Sequence, residues 1–430
     1  DLGVNNAVSQ IAWTFTGTGA SAVRWRLADE AGSWGPWSAP STLNPTPVGQ
    51  QGRSLQYRIE LSGNGLQPGE VTQVSVSVTG VTYLRGTLSG NTTWTAAGSP
   101  YVIYSSITVP SGAYLQIEPG VRALFSWDSG MTVSNTGKVV ANGVEGDSIL
   151  FTAMDGVPGH WRGVYWQSGS SVTSQLLYCI FEKAGEPNNG YHSNLVILSS
   201  TQPVFSNCTF RYCTGDGIRM SSSSVNLSRC RAYGNGSAGA RISGQASQTF
   251  PRVSLGEYFA NNDGIVIESS PVATPTQISL ASIHNNTRDG IQALSSSTPC
   301  LMSNQIHDNG RYPIYLDANS WHKAECWTGN VFGGNGVEAI GFEGRTLTTN
   351  FAFYDYGLDW RVLSDLYVQG SPAPTLTVFP GLTIEFASNA GLAVGVSGPG
   401  QITAVGNPDD RIVFTAASGA SGGWDGISFG

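Results

Sequence analysis

The chain has 430 residues, a formal net charge of −8, 55 glycines and only 12 % charged residues. An ordinary globular domain is about one quarter charged, so this composition is typical of an extended β protein with small, polar turns, and the length allows two or three domains. The negative charge and the lack of a Lys/Arg-rich run argue against nucleic acid as a partner, and no apolar window approaches the roughly 18 residues of a membrane span.

Residues 1–85 alternate apolar and polar positions in short runs such as IAWTF, AVRWRL and LQYRIEL, which Gly, Pro and Asn turns separate. This alternation predicts an antiparallel β-sandwich. The stretch around Trp34 and Trp37 resembles the jelly-roll or fibronectin-like accessory modules of secreted bacterial proteins. Two roles fit these tryptophans: stacking on sugar rings, or packing on the sandwich.

From residue 86 to residue 345 the pattern predicts a cap and then a repeat. The repeat returns every 22 to 27 residues and has three positions. It begins with an apolar anchor, has a polar or small residue three places on, and has a second apolar residue usually eight places after the anchor. The anchors are Phe210, Ala232, Phe259, Ile283, Ile306 and Phe332, and the second apolar positions are Ile218, Ala240, Ile265, Ile291, Ile314 and Ile340. So short a unit cannot bury its apolar face alone, which predicts a solenoid of stacked strands.

The polar position of the repeat is asparagine in five units: Asn235, Asn262, Asn286, Asn309 and Asn335. Asparagine tolerates the left-handed backbone of a corner between strands, and its amide can bond to the amide one coil away. A second column is glycine: Gly217, Gly239, Gly264 and Gly290. We expect these glycines to let the chain enter the next strand.

This ladder resembles the right-handed parallel β-helix repeats of the pectate-lyase-like superfamily over roughly residues 100–345. The resemblance implies an all-β chain in which the sandwich is followed by a right-handed parallel β-helix. It does not fix an activity, because the superfamily contains lyases, hydrolases, adhesins and phage spikes.

Residues 346–430 repeat the cap pattern. Three pairs match at offsets of 261 to 263 residues: Gly120 with Gly381, Phe151 with Phe414 and Trp161 with Trp424. The repetition predicts the cap and first coils of a second β-helix unit, which either continues the first stack or starts a separate one. Because a stack ending at residue 430 would expose a strand edge, we expect a fragment of a longer repetitive protein or coverage by another subunit.

The six cysteines lie on the same ladder. Cys179, Cys208 and Cys230 each stand two residues before an anchor, which predicts buried, stacked thiols. Cys300 and Cys326 lie one coil apart, within the Cα range of a disulfide, and a bridge between them stays open. No metal site is predicted, because no CxxC or histidine cluster accompanies the cysteines.

Two carboxylates are the candidate catalytic pair. Asp317 and Glu343 occupy equivalent positions on adjacent coils, where stacking brings their backbones to about 5 Å, near the carboxyl separation of retaining glycoside hydrolases. The residues around them form the densest aromatic cluster of the solenoid and are candidates for sugar binding: Tyr312, Tyr315, Trp321 and Trp327, with His322 and Lys323 beside them. The alternative is that both acids are ordinary turn residues and that the tryptophans shield a loop.

A lyase would need a basic residue and often calcium. Arg219 and Arg241 stack on adjacent coils and are candidates for contacting a polysaccharide, but no acidic cluster near them supports calcium, and no other cofactor is implied. NNDGI at residues 261–265 is superficially similar to the NTDG of polygalacturonase-like hydrolases, yet their GHG and RIK elements are missing.

The sequence favours a non-catalytic structural or adhesive module of a large exported bacterial surface protein, such as a stalk, filament or adhesin. Its expected location is extracellular or at the cell surface, and its expected partners are surface polysaccharide or further copies along the β-helix axis. The alternative is a polysaccharide-degrading enzyme, a glycoside hydrolase or lyase, that uses Asp317 and Glu343 in the β-helix groove.

Overall fold

A computed structural model describes the chain except for residues 1–5, 17–18, 29–32, 53, 64–69, 80, 168–173, 188–189, 191, 199–202, 245–250, 271–274 and 323. The N-terminal region forms two antiparallel sheets. One contains β1 (Asn6–Thr16), β3 (Thr46–Gly52) and β5 (Glu70–Thr79), and the other pairs β2 (Ala20–Ala28) with β4 (Ser54–Ser62). Val8, Ile11, Trp13, Val48 and Val23 come from both sheets and share one small core, so the region fits the predicted sandwich module.

The rest of the chain is a parallel β-solenoid of about 12 turns with three strands in a regular coil, which confirms the predicted fold class. Its first face contains β7 (Thr92–Trp94), β9 (Tyr114–Ile117), β12 (Lys138–Asn142), β15 (Gln175–Leu177), β18 (Val204–Ser206), β21 (Asn226–Ser228), β24 (Arg252–Ser254), β27 (Gln277–Ser279) and β30 (Cys300–Met302). The second face contains β10 (Arg122–Phe125), β13 (Ile149–Ala153), β16 (Cys179–Glu182), β19 (Thr209–Arg211), β22 (Arg231–Tyr233), β25 (Glu257–Phe259), β28 (Ser282–His284), β31 (Gln305–His307) and β33 (Val331–Gly333).

The third face runs through the whole solenoid. It contains β11 (Met131–Val133), β14 (Val164–Trp166), β17 (Ser193–Leu198), β20 (Asp216–Ser221), β23 (Ala238–Ser243), β26 (Asp263–Glu268), β29 (Ile291–Leu294), β32 (Ile314–Leu316), β34 (Ala339–Phe342), β37 (Asp359–Val362), β40 (Thr383–Phe386) and β43 (Val413–Ala416). The long strands β6 (Thr82–Thr87) and β8 (Tyr101–Val109) begin the stack, and β8 pairs with both β10 and β11.

After β34 the other two faces are formed by new sheets. One contains β35 (Thr346–Leu347), β38 (Leu366–Val368), β41 (Leu392–Val394) and β44 (Ile427–Phe429), and the other contains β36 (Phe351–Phe353), β39 (Thr375–Val378) and β42 (Gln401–Ala404). Because β34 pairs in parallel with β37, the strands predicted to begin a second unit continue the stack of the first. Short 3₁₀ helices at Ala96–Gly98 and Ala324–Cys326 complete the described elements, and no described helix is long and apolar enough to cross a membrane.

The apolar columns lie inside the solenoid, with one correction. The column Ile218, Ala240, Ile265, Ile291, Ile314 and Ile340 is in register as predicted. In the other column Tyr258, not Phe259, follows Ala232 and precedes Ile283. Phe259 points outward and stacks between Tyr233 and His284. A one-residue slip along a strand reverses the face to which a side chain points, and both neighbouring aromatic residues fit the apolar pattern of the column.

The asparagine ladder exists, but its second member is Asn261, not Asn262. Asn235 donates to Oδ1 of Asn261 at 2.8 Å, and the series continues through Asn286 and Asn309. The left-handed corner is taken by the preceding residue, such as Ala260 with φ 53°, so these asparagines serve hydrogen bonding and not an unusual backbone conformation.

The glycine column is needed for space. A Cβ on Gly264 would lie 2.5 Å from the carbonyl oxygen of Gly290 and 3.0 Å from the amide nitrogen of Asn286. Close approach of the next coil, and not a positive φ, therefore requires glycine at this position.

Cys179, Cys208 and Cys230 are buried free thiols in the core, as predicted. Burial raises the pKa of Cys208 and Cys230 well above the usual thiol value, which keeps both thiols protonated. Cys300 and Cys326 form a disulfide between adjacent coils, with Cα atoms 5.3 Å apart.

Candidate functional site

The outward row of the third face carries the two predicted arginines. Arg219 pairs with Arg241 in register, and Val266 and Gln292 follow in the next coils. Val266 and Gln292 are only 1 % and 4 % exposed, so this part of the face is covered and offers no open groove.

Ion pairs involve both predicted arginines. Nε of Arg241 lies 2.9 Å from Asp216, and its Nη1 lies 2.6 Å from Glu268. Burial lowers the pKa of Arg241, but these two carboxylates outweigh it and hold the pKa above its ordinary value. Arg219 also lies within 3.6 Å of Asp216. Both arginines are thus engaged in a structural network, and their contact with a ligand remains a prediction.

The same arrangement repeats further along the solenoid. The carboxylate of Asp263 pairs with Arg288, and that of Asp289 pairs with Arg311. Asp263 and Asp289 are 2 % and 0 % exposed. A buried carboxylate needs a partner of opposite charge, and here an arginine of the next coil provides it.

The covered row ends at β32 and β34, where the predicted carboxyl pair lies. Leu316 pairs with Phe342 in register, and Asp317 and Glu343 directly follow them. The two acids therefore stand on adjacent coils at equivalent positions, as the sequence predicts. Parallel strands lie about 4.8 Å apart, which is the expected separation of their backbones.

The two carboxylates have different hydrogen-bond partners. Asp317 accepts from the backbone N–H groups of Ser295 at 2.6 Å and Asn319 at 3.0 Å. Glu343 accepts from the hydroxyls of Tyr315 at 3.2 Å and Ser364 at 3.1 Å. Backbone N–H groups only donate, whereas hydroxyls both donate and accept. The partners of Asp317 can therefore only donate, whereas those of Glu343 can donate or accept.

Tyr315 and Tyr312 flank this pair. The guanidinium of Arg311 lies 5.1 Å from both ring centroids. Burial and the Glu343 carboxylate raise the pKa of Tyr315 to about 12, so its hydroxyl stays protonated. Tyr312 is 5 % exposed and its ring covers Gly341.

Trp327 requires a correction. It is 4 % exposed, belongs to the core, and donates its indole N–H to the carbonyl of Pro299 at 2.7 Å. Its ring therefore has no face that is open to a sugar. Tyr312 is buried to a similar degree, and Lys323 lies outside the described residues.

Beside the carboxyl pair is a concave site of about 580 Å³, called here the Trp321 notch. Its lining combines aromatic rings with polar groups: Thr298, Trp321, Glu325, Asn350, Phe351 and Tyr354. The volume lies in the range of small-molecule sites, roughly 300–1,000 Å³. The notch is bordered by Thr298, which lies just before β30, by residues 321, 322, 324 and 325, and by residues of β36 and β39 in one of the sheets after β34.

Arg345 connects the notch to the carboxyl pair. Its guanidinium lies 4.0 Å from the Trp321 ring centroid, and its Nη1 donates to the carbonyls of Ala318 and Ser320 at 2.6 and 3.1 Å. Ala318 directly follows Asp317. The Arg345 side chain therefore holds both the turn that follows Asp317 and the Trp321 ring of the notch. Burial lowers the pKa of Arg345 to about 10, which still leaves it a cation at neutral pH.

His322 also lines the notch but is not a free base. Its Nε2 lies 2.7 Å from the carbonyl of Ala352, which requires a donor there, and its Nδ1 lies 2.9 Å from the Tyr356 hydroxyl. Burial lowers the pKa of His322 to about 4, so the ring is neutral at pH 7. Five aromatic rings surround it at centroid distances of 5.1 to 5.9 Å: Trp327, Phe351, Tyr354, Tyr356 and Trp360.

Sequence reasoning found Trp321 but missed Asn350, Phe351 and Tyr354. Their signal was the aromatic stretch FAFYDYGLDW, at residues 351–360, which fell inside the predicted second cap. The continuous stack places that stretch one coil beyond Trp321. Within the described residues, no group of three or more His, Cys, Asp or Glu side chains is placed to hold a metal ion.

A family model described as a right handed beta helix region matches residues 159–255. Among solved structures, the A-module of a mannuronan C-5 epimerase of Azotobacter vinelandii is 12 % identical, with 79 % of this chain and 91 % of that chain covered and a TM-score of 0.40. A periplasmic alginate epimerase is 11 % identical with 78 % of each chain covered and a TM-score of 0.29. The catalytic domain of an α-1,3-glucanase in complex with nigerose is 11 % identical, with 97 % and 89 % covered and a TM-score of 0.31. No curated protein matches the chain.

These comparisons confirm the right-handed β-helix and overturn one prediction. The solved structures are polysaccharide-acting enzymes, so the predicted non-catalytic structural or adhesive module is wrong. Nothing among them supports self-association along the β-helix axis. At these TM-scores the likenesses assign no role to any residue of this chain.

Proposed function

We propose that the chain is a polysaccharide-degrading enzyme of the glycoside hydrolase type, with Asp317 and Glu343 as its two carboxyl groups. The observation that carries the proposal is their equivalent position on adjacent coils beside a concave aromatic site. A backbone separation of about 4.8 Å is compatible with the carboxyl spacing of roughly 5–5.5 Å in retaining enzymes.

The hydrogen-bond partners of the two carboxyl groups favour Asp317 as the nucleophile and Glu343 as the general acid. Asp317 accepts from two backbone N–H groups, which can only donate, and this suits a nucleophile. Glu343 lies between two hydroxyls, one of which can turn to accept from a protonated carboxyl, and this suits a general acid.

The reaction then follows a double displacement. The Asp317 carboxylate attacks the anomeric carbon while the Glu343 proton passes to the leaving glycosidic oxygen. In the second step a water molecule gives its proton to Glu343 and its oxygen to the anomeric carbon, which releases Asp317. Arg345 acts as a positioning residue, because it holds the Ala318 carbonyl next to Asp317.

An exported location forms part of the proposal. The Cys300–Cys326 disulfide supports this location, because disulfides persist in the oxidising environment outside the cytoplasm.

The test is turnover of a panel of plant, algal and bacterial polysaccharides, measured as new reducing ends and as unsaturated ends. We expect Asp317→Asn and Glu343→Gln each to reduce hydrolysis at least about a hundredfold. Asp409→Asn, in an exposed turn, is the matched control and should hydrolyse like the parent chain. Unsaturated products would favour a lyase, and hydrolysis that survives both carboxyl changes would exclude the pair.

A further inference from the structure

We infer that the Trp321 notch is a subsite for a neutral hexopyranose unit, and that it selects against uronic acids. This inference rests on the proposed function, since it specifies the sugar class that the enzyme binds.

The walls of the notch suit the C–H face of a sugar ring. The half-buried ring of Trp321 lines the notch, and the buried Phe351 ring packs against it at 5.2 Å and an angle of 54°, which fixes its orientation. Tyr354 lines the same site and stacks on Phe379 at 4.5 Å, which fixes its ring. Rigid aromatic faces give contact area at a low cost in conformational entropy.

The polar groups of the notch suit hydroxyls. The side-chain oxygen of Asn350 accepts from the backbone N–H of Thr375 at 2.9 Å, which leaves the NH₂ group of Asn350 as a donor. Glu325 is exposed at the 3₁₀ turn Ala324–Cys326 and supplies an acceptor for sugar hydroxyls. Thr298 is 2 % exposed, and its hydroxyl has no hydrogen-bond partner among the described residues. The notch thus contains a buried polar group that its own coils do not satisfy, which is costly unless a ligand uses the site.

The charge of the notch sets the sugar class. A uronic acid would place its carboxylate in the same small site as Glu325, and two like charges at short range repel. Arg345 lies against the Trp321 ring but is not among the residues that line the notch. Its Nη1 donates to two backbone carbonyls of the turn at residues 318–320, whereas its Nε and Nη2 are buried and have no hydrogen-bond partner among the described residues. A neutral hexose avoids the repulsion and uses Glu325 as a hydrogen-bond acceptor.

The test is calorimetric binding of neutral gluco-oligosaccharides with several linkages, compared with oligomannuronate and oligogalacturonate. The parent chain is used, with Asp317→Asn in its place where turnover consumes the ligand. We expect a neutral oligosaccharide to bind at least about tenfold more tightly than either uronate. We expect Tyr354→Ala and Trp321→Phe each to weaken that binding about tenfold or more, and Glu325→Gln to narrow the difference between neutral and uronic sugars.

Trp127→Ala is the matched control, because Trp127 is 71 % exposed, stacks on His160 and lies away from the notch. Thermal unfolding of each variant separates loss of the site from loss of the fold. Equal or tighter binding of uronates, or unchanged affinity in both Tyr354→Ala and Trp321→Phe, would overturn the inference. Binding that depends on the notch without any turnover would uphold the subsite and reject the proposed hydrolase.

Discussion

The side-chain amide of Asn286 donates a hydrogen bond of 2.9 Å to Oδ1 of Asn309 in the next coil. The same Oδ1 also accepts the backbone N–H of Asn286 at 3.2 Å. At the end of the ladder the backbone N–H of Asn335 is accepted by the carboxylate of Glu338 at 2.7 Å, so the last corner is capped by a charged acceptor. Each asparagine thus satisfies backbone groups that no strand pairing reaches, and this makes the ladder a structural element of its own.

Removing one asparagine of the ladder should lower the stability of the fold considerably. Asn309→Ala leaves the buried backbone N–H of Asn286 and one of its two side-chain N–H groups without an acceptor, since the other still donates to the carbonyl of Tyr258. We expect the change to lower the free energy of unfolding by about 2–3 kcal/mol. Asn262→Ala is the control, because Asn262 lies beside the ladder and not in it, and a change within about 0.5 kcal/mol is expected. Denaturant titration measures both, and equal losses would show that the ladder does not contribute as described.

Thr298 should show a conflict between stability and binding. Thr298→Val replaces an unpaired buried hydroxyl by a methyl group, so we expect stability to rise by about 1 kcal/mol while affinity for the oligosaccharide falls. Thr152→Val is the contrasting variant, since the Thr152 hydroxyl donates to Glu182 at 3.0 Å and its loss should destabilise the fold. A destabilised Thr298→Val would mean that the hydroxyl is satisfied in solution.

His322 should make stability depend on pH. Its pKa is about 4 in the folded chain and about 6.5 when unfolded, so the neutral ring favours folding fully above pH 6.5. As the pH falls from about 6.5 to about 4, the unfolded chain takes up the proton first, and on the order of 3 kcal/mol is lost. Subtracting the stability of His322→Gln at each pH isolates this contribution, because all other titrating groups are shared. A difference that stays constant over this range would contradict the burial of the ring.

The disulfide should support the notch as well as the fold. Cys326 ends the short 3₁₀ turn that carries Glu325, and its bond to Cys300 closes a separation of 26 residues. We expect Cys300→Ser combined with Cys326→Ser to lower stability by about 2–4 kcal/mol and to weaken oligosaccharide binding. Reduction of the parent chain with a thiol should reproduce both effects, whereas unchanged binding would show that the turn keeps its position without the bridge.

The repeat was predictable because equivalent positions of successive coils carry similar residues. Ile265 and Ile291, for example, occupy the same inward position on adjacent coils. The errors arose where two neighbouring residues both fitted the column, as with Tyr258 and Phe259, or Asn261 and Asn262. Composition cannot choose between such neighbours, because the choice depends on which residue the corner places in the left-handed region.

The sequence predicts the carboxyl pair of the site but not the aromatic residues that meet in the notch. Asp317 and Glu343 share one column, so counting along the repeat finds them. Tyr354 and Trp321 come from different positions of successive coils, and they meet because new sheets replace two of the three faces after β34. That change of coil shape has no periodic signal, and neither does the burial of Trp327, whose ring fills the core at the same transition.

The proposed function is tested most directly by the configuration of the first sugar product, followed by proton NMR during cleavage of whichever polysaccharide of the panel is hydrolysed. Backbones about 4.8 Å apart are compatible with the carboxyl spacing of retaining enzymes, so the new reducing end should keep the configuration of the bond that was cut. Inversion, or the absence of cleavage across the whole panel, would contradict the assignment of Asp317 and Glu343.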